Sequence, residues 1–484
     1  MKNLPELWQH QKDAISRAGN RFALHFDPGT GKTRTAIELY LKHKTPDSWS
    51  SRPLSSKVII FAPLNVCRNW EIELKEYLGT PFITLLVAGQ TKARKIETLK
   101  YFNNCPLGNS IFLICNIESL RSKDYRELLG KSGADFIIVD ESHNFKTPSS
   151  LQTKGLFEIE QKLKPQYLYL LTGTPAPQGE MDLYTSFRLL KKTNDNFFVW
   201  RKKHFNDLNE RRRGHQGYYP KYVVTKESKE YFQKLLGECS VTAKKDEVLD
   251  LPELLHTNIY AEMSPEQRRH YETMLEFLFA IDAEGNELNA ANFLSRSLRL
   301  QQILAGFLGD VPIKDNPRLQ ALDAAIEKTQ GEQFIVWTIF KATYKQLQDR
   351  IISNLEKDSR DSGVGMLTGE QSAEERAKTI EQFQAGRLRA LIAHPRAGGV
   401  GVNLTAASYS IHYTKSFSLV DDLQCEARNY RGGSEIHKRI TRIDIITPGT
   451  IDEEITSALK EKKSVQDFIL GLKEQHGRTQ QAAA

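Results

Sequence analysis

The sequence predicts an α/β protein built from two parallel-sheet lobes with helical insertions between the sheets, and three observations predict it. Short, continuous apolar runs alternate with longer amphipathic stretches from Arg21 to Gly173. The same rhythm returns after Gln330. Between them, from Leu190 to Pro317, the text turns to charge-rich helical patterns. Strands covered by helices on both faces read as unbroken hydrophobic runs, whereas half-exposed strands alternate.

A chain of 484 residues suits two or three cores. The expected division is a first lobe over 1–250, with a basic helical protrusion at 190–248, a second lobe over 251–470, with a helical segment at 264–310, and a flexible tail over 471–484. With 39% hydrophobic and 26% charged residues the composition is globular, and no apolar run approaches the roughly 18 residues of a membrane helix. The opening MKNLPELWQHQKDAI has neither a basic segment nor an apolar core, so neither a secretory signal nor a transit peptide is expected, and a cytoplasmic setting is. Five scattered cysteines with no CxxC pair argue against a disulfide framework or a zinc site. The net charge of +7 permits a polyanionic partner.

RFALHF reads as the first strand and Lys32 to Lys42 as a helix, so DPGTGKT occupies a strand-to-helix turn. There backbone N–H groups and the helix N-terminus attract phosphate oxygens, a lysine reaches the β- and γ-phosphates, and a hydroxyl helps to hold Mg²⁺. The core GTGKT places Gly29, Thr30, Gly31, Lys32 and Thr33 in that pattern, while Phe26 stands where the full Walker pattern has glycine. ADFIIVDESH is a buried-strand pattern ending in two carboxylates. A P-loop ATPase needs one carboxylate near Mg²⁺ and another group to orient water, and Asp140 and Glu141 are the candidates. His143, by itself, reads as a satisfied polar residue. LYLLTGTPAP is a further strand, and the hydroxyls of Thr172 and Thr174 either link the two acids to a moving element or form an ordinary turn.

In the second lobe LIAHPRAGGVGVNLTAA sets a glycine-rich turn after a strand, and DDLQCEARNYRGG places Gln424, Arg428 and Arg431 four and three apart, on one helical face. Two guanidiniums on one face suit the negative charge that develops in γ-phosphoryl transfer, although a lone RxxR is also a common surface salt-bridge pattern. Ser264-Pro265-Glu266-Gln267 opens a helix with a serine cap.

The segment from Lys191 to Thr225 holds nine Lys/Arg, among them Arg201, Lys202, Lys203, Arg211, Arg212 and Arg213, against three Asp/Glu. Phe197, Phe198, Trp200, Phe205, Tyr218, Tyr219 and Tyr222 interleave with them. Cations release counterions from phosphates and aromatics stack on unpaired bases, which favours nucleic-acid contact; the other reading packs the aromatics on the lobe beneath.

In this order the elements resemble superfamily 2 helicase-like motors, and the wording is similar to the Swi/Snf group of double-stranded DNA translocases, over nearly the whole chain from residue 4 to 470. LWQHQKDAI, DPGTGKT, FAPLNVCRNWEIEL, DESH, LTGTP, FIVWTIF, RAGGVGVNLTAA and DLQCEARNYRGG carry the resemblance. It implies RecA-like lobes, hydrolysis of Mg·ATP, and duplex or branched DNA as partner of a monomeric motor. It further implies adenine reading by Gln11, a nucleotide contact at Gln424, coupling through Thr172, Thr174 and Gly401, and strand contacts at Asn65, Arg68, Asn403 and Thr405. The family's HRIGQ is replaced here by Tyr430-Arg431-Gly432-Gly433-Ser434, and its Ile-Gln-Asn after TGTP by Ala176-Pro177-Gln178.

Overall fold

The computed structural model describes residues 6–44, 56–64, 66–78, 81–106, 109–210, 220–283, 290–357, 363–398 and 402–460. The chain forms two compact units, residues 1–249 and 250–484. Among the described residues no helix is long and apolar enough to cross a membrane.

In the first unit the apolar runs become strands: β1 (Arg21–Phe26), β2 (Lys57–Ala62), β3 (Phe82–Leu86), β4 (Ser110–Asn116), β5 (Phe136–Val139) and β6 (Tyr167–Leu171). Every residue of β2, β4, β5 and β6 is buried, as unbroken apolar runs require when helices cover both faces. A small antiparallel pair, β7 (Phe205–Asp207) with β8 (Tyr222–Val224), stands outside the sheet, and β9 (Ser240–Ala243) closes it. The sheet order is β3-β4-β2-β5-β6-β1-β9, with every pair parallel. Neighbouring strands lie about 4.8 Å apart. The order β2-β5-β6-β1 therefore sets the loops after those four strands side by side.

In the second unit β10 (Glu253–Tyr260), β13 (Phe334–Trp337), β14 (Gly363–Leu367), β15 (Leu388–Ala393), β16 (Tyr409–His412) and β17 (Arg439–Ile446) form a parallel sheet in the order β10-β17-β16-β13-β15-β14. β11 (Phe307–Leu308) and β12 (Val311–Pro312) make a separate antiparallel pair. The helix Pro265–Ala283 starts on a reciprocal cap: Gln267 N–H donates to Ser264 Oγ at 3.2 Å and Ser264 N–H to Gln267 Oε1 at 3.1 Å.

One sequence expectation is corrected. The stretch 190–248, expected as a helical protrusion, contributes β9 to the main sheet, where Ala23 to Phe26 pair with Ser240 to Ala243. Likewise β10, inside the charge-rich interval, pairs with β17 along all eight of its residues. Four residues of SVTA are too short to show a period, and ELLHTNIY, at the sheet's edge, has neither an unbroken apolar run nor a regular alternation to mark it as a strand.

Candidate active site

The turn after β1 is shaped by two glycines in left-handed backbone, Gly29 at φ 89° and Gly31 at φ 83°. A Cβ on Gly31 would lie 2.3 Å from the Gln11 amide nitrogen, so no side chain fits there. Gln11, on the helix Gln9–Arg17, is buried; its Nε2 donates to the Gly31 carbonyl at 3.2 Å and its Oε1 accepts from Trp8 N–H at 2.9 Å. Thr30 is buried, its hydroxyl donating to the Asp27 carbonyl at 2.8 Å. Lys32 Nζ donates to the Phe26 carbonyl at 2.8 Å, so the ammonium folds back over its own turn. Thr33 follows it in the first turn of the helix Lys32–Lys44 and is partly exposed.

β5 delivers Asp140 to the same edge. Its backbone N–H donates to Phe61 O at 2.8 Å, Oδ1 accepts from Glu141 N–H at 2.9 Å, and Oδ2 accepts from the indole Nε1–H of Trp70 at 2.9 Å. Burial above all, and then the charge of Glu141, push the Asp140 carboxyl up to about 6, against the pull of the Trp70 hydrogen bond and the Lys32 ammonium. Glu141 sits in left-handed backbone at φ 46°, a conformation that costs about 1–3 kcal/mol for a residue with a side chain. That bend aims its carboxylate at His143, whose Nδ1 stands 3.3 Å from Glu141 Oε2, 3.0 Å from Thr172 Oγ1 and 3.5 Å from Thr174 Oγ1. Thr174 N–H donates to Thr172 Oγ1 at 3.1 Å. Between the two threonines, a Cβ on Gly173 would meet the Phe26 carbonyl at 3.1 Å and Pro28 Cδ at 3.0 Å, which is how closely the loop after β6 crosses the glycine turn after β1.

Two members of this cluster, Trp70 and His143, are given no role in it by the sequence. Trp70 lies in NWEIEL, where a tryptophan on an amphipathic helix reads as core. His143, read as an ordinary polar residue, is the group through which the threonines reach Glu141; its position two residues after that acid is the only local signal.

In the second unit Ser418 caps the helix Leu419–Asn429, which carries Gln424 and Arg428, both buried. Arg428 Nε donates to the Gln424 carbonyl at 2.9 Å and Nη1 to the Val402 carbonyl at 3.2 Å; Arg431 Nη1 reaches the same carbonyl at 3.5 Å. The two arginines thus converge on the loop that contains Asn403 and Thr405. Asn403 is exposed and its Oδ1 accepts from Thr405 N–H at 3.2 Å. Thr405 is buried, its Oγ1 accepting from Gln384 Nε2 at 3.4 Å and its carbonyl standing 2.8 Å from His437 Nε2. The arginine helix is itself anchored by Arg442 of β17, which is buried and pairs with Asp422 at 2.7 Å, Asp444 at 3.0 Å and Glu426 at 3.4 Å.

Arg68 is exposed on the helix Cys67–Tyr77. Lys202 and Lys203 are exposed on the helix Phe197–His204. Arg201 stacks over the rings of Tyr222, 4.3 Å from the centroid, and of Phe197 and Phe198, both 5.5 Å. The interleaved aromatics as a stacking platform are corrected: Trp200 and Phe205 are buried with Phe187 and Phe232 in a satellite core, and Phe197 and Tyr222 pack against it. Phe198 alone of the described set stays exposed, at 71%. Asn65, Gly401, Arg211, Arg212, Arg213, Tyr218, Tyr219 and the tail 471–484 lie outside the described residues.

Comparison with known families decides the relationship. The model of the SNF2-related domain matches residues 19–307, and that of the helicase conserved C-terminal domain matches residues 317–433. The chain belongs to the SNF2-related family. Across 479 residues this SNF2-related chain is 27% identical to a putative ATP-dependent helicase/translocase of Bacillus subtilis, covering 94% of this chain and 47% of that protein. It is 26% identical to an ATP-dependent helicase of Mycoplasma genitalium, over 95% of this chain and 42% of the relative. The chain spans about half the length of the curated relatives it matches. Among solved structures, a Sulfolobus solfataricus SWI2/SNF2 ATPase core in complex with dsDNA is 23% identical, covering 94% of this chain and 91% of that one, with a TM-score of 0.42.

Proposed function

We propose that the SNF2-related chain is an ATP-driven motor that hydrolyses ATP in response to DNA and moves along the duplex. The observation that carries this is the convergence, within one unit, of a glycine-shaped phosphate turn, its lysine, a buried carboxylate and a second carboxylate held by a histidine and a threonine. Left-handed glycines present successive backbone N–H groups to one concavity, which suits the phosphates. Lys32 exchanges the Phe26 carbonyl for the β- and γ-phosphates.

The donor set fits Mg²⁺, a hard cation that takes oxygen ligands. Asp140 is a buried carboxylate whose charged form is disfavoured until a cation joins it, and Thr33 offers a hydroxyl. Bound there, Mg²⁺ would neutralise charge on the β- and γ-oxygens. Glu141 orients the attacking water and takes its proton as the γ-phosphoryl bond breaks, leaving ADP and phosphate. His143 and Thr172 hold the Glu141 side chain in that direction. Arg428 and Arg431 are the groups available to the charge that develops on the transferred phosphoryl. Arg68, Asn403, Lys202 and Lys203 are the described candidates for phosphate contacts along DNA, which position without reading sequence. The names of the relatives, helicases and translocases, support a nucleic-acid motor, and the Swi/Snf wording supports the duplex.

The test is phosphate release from ATP without nucleic acid, with closed duplex DNA, with single-stranded DNA and with RNA, using Glu141→Gln as the blank. Stimulation by closed duplex, lost in the variant, is the expected result. Stimulation by single strands or RNA alone would make the chain an unwinding helicase, and binding without hydrolysis would make it a nucleotide-gated clamp.

A further inference from the structure

The helix Cys67–Tyr77 begins where β2 ends, and it has two faces with different neighbours. Arg68 is exposed, while Trp70, two residues on, is fully buried. At about 100° per residue a separation of two puts the side chains on nearly opposite faces of a rigid cylinder. The inward indole donates to Asp140 Oδ2 at 2.9 Å, and the Asp140 N–H donates to Phe61 O, on the strand that feeds this helix. Asp140 is therefore tied to the β2 segment twice, once through its backbone and once through its carboxylate. Trp70 N–H in turn donates to the Val66 carbonyl at 3.1 Å, so the indole is carried by the first turn of the helix and moves with it.

We propose that Trp70 is the positioning residue through which a nucleic-acid strand at Arg68 adjusts the Asp140 carboxylate and so accelerates ATP hydrolysis. This rests on the reading of the chain as a DNA-stimulated ATPase. An indole has one donor and no acceptor, and here that donor is spent on one oxygen of a buried acid. A phosphate drawn to Arg68 shifts or stiffens the first turn, and a rigid helix passes the displacement to a ring already hydrogen-bonded to the carboxylate. A tryptophan kept only for its bulk would serve equally well without the N–H. Partners that orient a metal-binding carboxylate typically carry a ten- to hundredfold effect when removed.

The experiment uses the full chain and titrates closed duplex DNA while following phosphate release. In Trp70→Phe, which keeps an aromatic ring and loses the donor, the maximal rate at saturating duplex is expected to fall roughly ten- to hundredfold, with the half-stimulating DNA concentration unchanged. In Arg68→Gln, which takes away the charge that draws the phosphate to the helix, the half-stimulating concentration rises and the maximum falls with it; a maximum that is kept overturns the link. A Trp70→Phe protein that reaches the wild-type maximum overturns this inference alone; a wild type that hydrolyses ATP but ignores duplex overturns the proposed function and this inference with it. A second measurement needs no Trp70 variant. Of the five tryptophans, the indole N–H signal of Trp70 in ¹⁵N-labelled protein is identified by its response to Asp140→Asn. In the wild type that signal shifts when duplex is added; a signal that stays in place counts against the link.

Discussion

The two units present charge at their strand ends in different ways. In the first, acids follow the strands: Asp140 after β5 is buried and pushed up to about 6, and Glu141 is bent toward a histidine. In the second, arginines are presented, Arg428 and Arg431 resting on one carbonyl at Val402, while acids from the same helix are used internally to hold Arg442. The same layered sheet thus carries a glycine-shaped turn beside two acids in one unit and a frame for guanidiniums in the other. What differs is which charges the interior neutralises. In the first unit burial raises the Asp140 carboxyl, whereas the second pairs its acids with Arg442 and so anchors the helix that carries the arginines.

The largest effect on that comparison is expected from Arg428→Lys, which keeps the charge but loses the planar fork. Hydrolysis should fall by about a thousandfold or more, while the affinity for a fluorescent ATP analogue stays within a few-fold of wild type. Lys32→Ala should do the reverse and remove nucleotide affinity. If both variants bind alike, the division of labour between the units is wrong.

Next in size is Arg442→Met. It removes the cation shared by Asp422, Asp444 and Glu426, and breaking a buried pair by removing one partner costs about 3–5 kcal/mol. Hydrogen exchange should report the loss in the second unit, centred on the helix Leu419–Asn429, with the first unit unchanged.

A pH dependence is expected from the first unit. Burial lowers His25, in β1, from its ordinary 6.5 to about 4. The fold therefore holds this imidazole neutral while the unfolded chain protonates it below pH 6.5. Stability from this group is full above about pH 6.5 and declines by about 1.4 kcal/mol per pH unit until the pH reaches the folded value near 4, about 3 kcal/mol in all. Urea midpoints of the wild type and of His25→Gln between pH 7.5 and about 4 should diverge accordingly, with the variant less pH-sensitive; parallel curves would remove His25 from the account.

The smallest effect is expected from Lys202→Ala with Lys203→Ala. Both are exposed, so folding should be untouched, but the slope of log affinity for duplex against log salt should fall by about 2. An unchanged slope would take the basic helix off the DNA path.

The glycine turn, the acid pair and the arginine helix were legible as local patterns: a strand-to-helix turn with Gly29 and Gly31, two acids after a buried strand, and residues four and three apart. The capping box at Ser264 and Gln267 was legible for the same reason. The aromatics from Phe197 to Tyr222 were not, because charge interleaved with rings looks the same whether the rings meet a base or Phe187 and Phe232. Nor was β9, whose four residues become a strand only because the open side of β1 is there to pair with them.

The sequence by itself determined the layered α/β class and the local patterns of the glycine turn, the acid pair and the arginine helix, since these follow from apolar continuity and from backbone needs that span only a few residues. Only the tertiary structure decided that β2, β5, β6 and β1 lie side by side, that Trp70 donates to an acid 70 positions away, and that one histidine joins Glu141 to Thr172. A hydrogen bond acts over about 3 Å, and which groups come that close is set by the packing of whole elements rather than by their spacing along the chain.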